Sequence, residues 1–139
     1  MKKIRITLLL STLIACFLVT GCSENEAVPE IIELNGTYEG TFTVEYLNGG
    51  QTQSNPVTIT FSDGTFTSTA GENRFPAGGS GTYEVGISSV IFTDVNIWTA
   101  DFDWNLVLNG EYTVTVTGGM ITLSARKNDV GVYTYELVR

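Results

Sequence analysis

The chain has 139 residues, enough for one domain, and 42% of them are hydrophobic, enough for a core and too many for a disordered chain. It has 15 acidic and 7 basic residues and no histidine, so the commonest general base and the commonest zinc ligand are missing. All 15 acids follow residue 22, where only 4 bases remain; a body at −11 repels phosphate backbones, and no nucleic-acid partner is expected.

Lys2, Lys3 and Arg5 form a positive start, followed by the apolar run Ile6 to Val19 and then Thr20-Gly21-Cys22. This is the pattern of a secretory signal with a small residue before the cut. The uncharged stretch, 18 residues over 6–23, falls short of the ~20 that span a bilayer, so cleavage rather than an uncleaved anchor is expected. Val19-Thr20-Gly21-Cys22 resembles the lipobox of bacterial lipoproteins. That resemblance implies a signal peptide over 1–21 and acylation of Cys22. It also implies a place in the bacterial cell envelope, lipid-anchored at the outer membrane on its periplasmic or surface face. Two or three acyl chains suffice to hold a protein there, since each buried CH₂ contributes about 0.8 kcal/mol. Cys16 leaves with the signal and Cys22 is consumed, so no thiol is left for a disulfide, a metal or catalysis.

Residues 22–34 read as a tether, acidic and without periodicity from Ser23 to Glu30. Acidic residues behind a lipidated cysteine also resemble the surface-export signals of some Gram-negative lineages; a plain solvated linker has the same composition.

Residues 35–139 alternate with period two. Tyr38, Phe42, Val44 and Tyr46 are interleaved with Thr and Glu; Val57, Ile59 and Phe61 with Thr58, Thr60 and Ser62. Phe66, Tyr83 and Val85, then Trp104, Leu106 and Leu108, continue the pattern. So do Tyr112, Val114 and Val116, Ile121, Leu123 and Ala125, and finally Tyr133, Tyr135 and Leu137. These are half-buried antiparallel strands. Asn48-Gly49, Asp63-Gly64, Asn109-Gly110 and Gly118-Gly119 accept the positive φ that tight hairpin turns require, and Asn128-Asp129 is a fifth turn. Nine segments result, near 36–47, 56–62, 65–70, 81–86, 89–93, 99–109, 111–117, 120–127 and 131–138, with Pro56 opening the second. The expected fold is all-β: an antiparallel up-and-down meander closing into a barrel of eight or nine strands, because a long twisted meander hides its edges by closure.

Gly36-Thr37-Tyr38-Glu39-Gly40 resembles the Gly-x-Trp start of calycins, with tyrosine for tryptophan. Trp104-Asn105-Leu106 leading into Leu108-Asn109-Gly110-Glu111-Tyr112, and the final Tyr135-Glu136-Leu137-Val138-Arg139, look like the lipocalin-like domains of bacterial lipoproteins. The resemblance implies a lipocalin-like barrel over 35–139, in which Arg139 or Arg126 covers Tyr38. An immunoglobulin-like sandwich is the alternative, but needs longer crossovers than these turns provide.

Nine aromatic residues are expected to face inward: Tyr38, Phe42, Phe61, Phe66, Tyr83, Phe92, Phe102, Trp104 and Tyr112. They either fill the barrel or line a cup for an apolar ligand. Asp101-Phe102-Asp103-Trp104-Asn105 begins like a calcium loop, but Leu106 and Tyr112 stand where glycine and glutamate are needed. Period two explains it better, with Asp101, Asp103 and Asn105 on the outer face, where two carboxylates make no glycosidase cleft. Lys127 and Ser124 point to opposite faces of one strand and form no nucleophile pair. No catalytic residue, metal ligand or cofactor is therefore assigned. In loop 71–80, Arg74 and an exposed Phe75 are candidate contact residues at one rim. Trp98 is a candidate for stacking on a sugar, and Trp104 is either core or a binding residue. The expected activity is binding without catalysis. A small apolar ligand, a surface glycan or a protein are the candidate partners beside the membrane itself; a purely structural envelope lipoprotein is the remaining reading.

Overall fold

The computed structural model describes residues 32–139. The expected signal peptide, Cys22 and the expected tether up to residue 31 lie outside the described residues. Eight antiparallel strands close into a barrel in sequential order. They are β1 (Gly36–Tyr46), β2 (Gln53–Ser62), β3 (Thr65–Ser68), β4 (Gly79–Val85), β5 (Ser89–Asp94), β6 (Gly110–Thr117), β7 (Met120–Lys127) and β8 (Gly131–Val138). β1 closes the barrel on β8, with Phe42 opposite Tyr135 and Val44 opposite Tyr133.

The alternation decides which face of each strand turns inward. Tyr38, Phe42 and Val44 of β1 are buried while Thr37, Glu39 and Thr41 face water, and β2 buries Val57, Ile59 and Phe61 in the same way. Two tight turns use the backbone their sequences offer: Asp63-Gly64 has φ of 47° and 76°, and Gly118-Gly119 has 60° and 85°. Pro56 is not the first residue of β2 as expected. It pairs with Thr41, three residues inside a strand that starts at Gln53.

The rings form an unbroken chain along the interior. Phe75 meets Phe42 at 5.1 Å, Phe42 meets Tyr135 at 4.7 Å, and Tyr135 meets Tyr112 at 5.9 Å. Tyr112 then meets Phe92 at 5.7 Å, Phe92 meets Phe61 at 6.2 Å, and Phe61 meets Tyr38 at 5.7 Å. These are the centroid spacings of favourable aromatic pairs. Seven of the nine aromatics expected inside join this core: Tyr38, Phe42, Phe61, Phe66, Tyr83, Phe92 and Tyr112.

The two ends of the barrel differ. At one end, β2–β3 and β6–β7 are joined by the two-residue turns 63–64 and 118–119, and β4–β5 by residues 86–88. The chain arrives at this end: Leu34 is buried under it and its carbonyl accepts from the Tyr83 hydroxyl at 2.5 Å. Arg139 lies beside Gly36 here and borders the same depression as Tyr38, whereas Arg126 pairs with Asp129. At the opposite end, residues 47–52, 69–78, 95–109 and 128–130 connect the strands.

One expected strand is absent. Residues 99–109 belong to the 95–109 loop, which holds a single 3-10 turn, Trp104–Leu106. The Asp103 carboxylate accepts from the Asn105 backbone N–H and from its side-chain amide, both at 3.0 Å. Such local side-chain bonds compete with sheet pairing, and here they win over the alternation.

Candidate functional site

The long-loop end collects the residues that the sequence marks as candidates. Loop 69–78 crosses the barrel mouth as a lid. Asn55 on β2 donates to the Phe75 carbonyl at 2.7 Å and to the Glu72 carbonyl at 3.3 Å, while Gly71 N–H donates to the Pro76 carbonyl. A Cβ at Gly71 would stand 1.9 Å from the Phe75 oxygen, so only glycine lets the loop fold this tightly. Phe75 is therefore no exposed contact residue. It is buried against Phe42 and stoppers the interior.

Arg74, its neighbour, points the other way. It is exposed, its backbone has φ +60°, and Asn73 before it has φ +54°. Its guanidinium lies 5.7 Å from the Trp98 ring centre and 5.6 Å from that of Phe102. Trp98 and Phe102 stack on each other at 5.0 Å with 20° between their planes. Phe102 is thus not an inward residue of a strand; it is half of an aromatic pair on the outside of the lid. Trp98 is half-buried, and its indole N–H donates to Asp94 at 2.7 Å. Asp94 also accepts the backbone and side-chain N–H groups of Asn96, so one carboxylate at the end of β5 shapes the start of the loop.

Trp104 corrects the expectation of a core position: 59% of it is exposed. Its indole N–H donates to the Thr99 carbonyl at 3.2 Å, which holds the ring in place without covering it. Below it opens a depression of about 330 Å³, bordered by Trp104, Asn109, Glu111, Arg126, Lys127 and Asn128. The cleft has a cause in the sheet. β6 begins at Gly110 and β7 runs to Lys127, yet their pairing stops at Thr113 opposite Ser124, so the strands part above that point.

Lys127 fills the base of the cleft. Its ammonium donates to the Val107 carbonyl at 2.6 Å and to the Asn105 carbonyl at 3.0 Å, and lies 5.2 Å and 5.5 Å from the rings of Tyr112 and Tyr133. Burial pushes its pKa down to about 8, against the pull of Asp103. Burial likewise pushes the Tyr133 hydroxyl up to about 12 and raises those of Tyr112 and Tyr135. The Tyr112 and Tyr133 hydroxyls have no hydrogen-bond partner among the described residues.

The structure therefore brings Arg74 and Trp98 together, sets Trp104 apart on its own cleft, and removes Phe75 to the core. Sequence reasoning missed Lys127 and Asn109 as builders of this end. That Lys127 is the one lysine after residue 3 was the available signal for the first. Comparison with protein-family models, curated proteins and solved structures finds no match.

Proposed function

We propose that this protein is a lipid-anchored bacterial envelope protein with a lipocalin-like barrel. On this reading it does no catalysis, and it recognises a partner on the outside of the barrel, through the long-loop end. The observation that carries the reading is the asymmetry of the barrel. Tight turns and the first described residues before β1 occupy one end, whereas the long loops with Arg74, Trp98, Phe102 and Trp104 occupy the other. On this reading a chain tethered through Cys22 presents its long loops away from its point of attachment. The continuous ring chain favours the outside over the interior, because an internal ligand would have to displace packed side chains. A body at −11 favours neutral or basic partners over anions.

Two measurements test it. Mass spectrometry of the membrane fraction should find an acyl-modified N-terminal Cys22, and Cys22→Ala should leave that fraction. Titration with fatty acids, neutral oligosaccharides and basic peptides should shift tryptophan emission for an oligosaccharide or a peptide, with loss of the shift in Arg74→Ala, Trp98→Ala or Trp104→Ala. A response to fatty acids that survives all three substitutions would place the ligand in the interior and overturn the reading.

A further inference from the structure

We propose that the cleft beneath Trp104 is a carbohydrate site for one or two rings of a neutral sugar, an assignment that rests on the reading of the long-loop end as a recognition surface. Trp104 is held by its bond to Thr99 and still shows most of its ring to solvent, which packing alone does not explain. An indole face is electron-rich and takes the polarised C–H face of a pyranose. The depression, about 330 Å³, lies at the small end of the ~300–1,000 Å³ range of ligand pockets.

The groups around the ring are of mixed sense, as hydroxyls require, each being donor and acceptor at once. Asn109 accepts from Asp94 N–H through Oδ1, and its amide N–H₂ has no partner among the described residues. Asn128 spends its amide on Asn105 Oδ1 at 3.0 Å, and its own Oδ1 has no partner among the described residues. The Glu111 carboxylate has no hydrogen bond among the described residues and offers two acceptor oxygens. Arg126 holds only an exposed ion pair to Asp129 at 3.3 Å, a contact of small worth that a ligand can share.

Lys127 does not touch the sugar in this arrangement. Its two bonds to Asn105 and Val107 oxygens fix the loop that carries Trp104, so it is a positioning residue. Charge favours a neutral ligand: Glu111 and Arg126 both border the cleft and offset each other, Lys127 at its base is already engaged, and the body as a whole is strongly acidic.

The test uses the full acylated protein in detergent with glucose-, galactose-, mannose- and N-acetylglucosamine-terminated oligosaccharides. Binding is followed by calorimetry and tryptophan emission. At least one should bind at ~10 mM or below, and Trp104→Ala should weaken it about tenfold or more, roughly 1.4 kcal/mol. Trp104→Phe, which keeps a flat ring, should recover part of the loss, and Asn128→Ala should weaken binding several-fold. Ile87→Ser, at the opposite end, should leave it unchanged. Absence of binding by every oligosaccharide overturns the assignment, as does unchanged affinity in Trp104→Ala. Binding lost in Trp98→Ala but kept in Trp104→Ala also overturns it, and so does a response to basic peptides alone; both of these leave the recognition surface standing.

Discussion

Lys127→Met removes one amine and with it the tie between the end of β7 and the 95–109 loop. In the native protein the ammonium satisfies the carbonyls of Val107 and Asn105. Leaving a buried acceptor without a partner costs about 1–3 kcal/mol, and bonds to a charged donor are worth more than neutral ones. Against that stands the penalty of burying the charge, visible in the fall of its pKa from 10.5 to about 8. The net loss expected at pH 7 is therefore about 2 kcal/mol, less than the sum of the two bonds. The pH dependence isolates the amine. Between about 8 and 10.5 the unfolded lysine holds a proton that the folded one has lost, so the unfolded state binds more protons and stability rises with pH. From pH 7 to pH 9 the wild-type protein should gain about 1.4 kcal/mol, one pKa unit's worth, while Lys127→Met should not. Above pH 10 the sign reverses, because the buried hydroxyls of Tyr112, Tyr133 and Tyr135 resist ionisation that the unfolded chain accepts. Urea unfolding at pH 7 and pH 9, followed by far-UV circular dichroism, reads both quantities. A variant that gains as much as wild type between the two would refute the burial argument. A loss below about 0.5 kcal/mol at pH 7, the scale of an ordinary surface change, would refute the tie.

Phe42→Ala should cost about 3–5 kcal/mol, since it removes the ring that joins Phe75 to Tyr135 in the core, whereas Trp104→Ala should cost under about 1 kcal/mol; parallel urea melts compare them. Gly40→Ala should destabilise by at least the ~1–3 kcal/mol typical of overpacking, because its Cβ would meet the Glu136 carbonyl oxygen at 1.8 Å where β1 approaches β8; a thermal melt unchanged from wild type would contradict that approach. Asp94→Ala deletes the acceptor for Trp98 and for two N–H groups of Asn96, so Trp98 emission should shift to the red while the main unfolding midpoint changes little.

The barrel was legible because its information is local and periodic. Tyr38, Phe42 and Val44 on one face of β1, or Tyr133, Tyr135 and Leu137 on β8, need only the two-residue period of a strand to be sorted in from out. The glycine turns at 63–64 and 118–119 carry their own backbone requirement. The same rule misled at residues 99–109, where Phe102, Trp104 and Leu106 alternate with Asp101, Asp103 and Asn105 as strand residues would. There the Asp103 carboxylate captures the Asn105 N–H, the chain turns, and no neighbouring strand is left to pair with.

The candidate site was less legible for the same reason. That Phe75 turns in and Arg74 turns out depends on Asn55, twenty residues away on another strand, holding the Phe75 carbonyl. That Arg74, Trp98 and Phe102 meet depends on two loops closing over one barrel mouth. The cleft under Trp104 exists because β6 and β7 part after Thr113 and Ser124, and because Lys127 reaches back to two carbonyls of a loop about twenty residues earlier in the chain. From the sequence alone came the strand alternation, the turn glycines and the charge, all of them properties of short segments or of summed composition. The pairing of loops, the exposure of Trp104 and the burial of Lys127 were decided only in three dimensions, because each is set by hydrogen bonds and packing between segments that the chain separates and the closed sheet brings together.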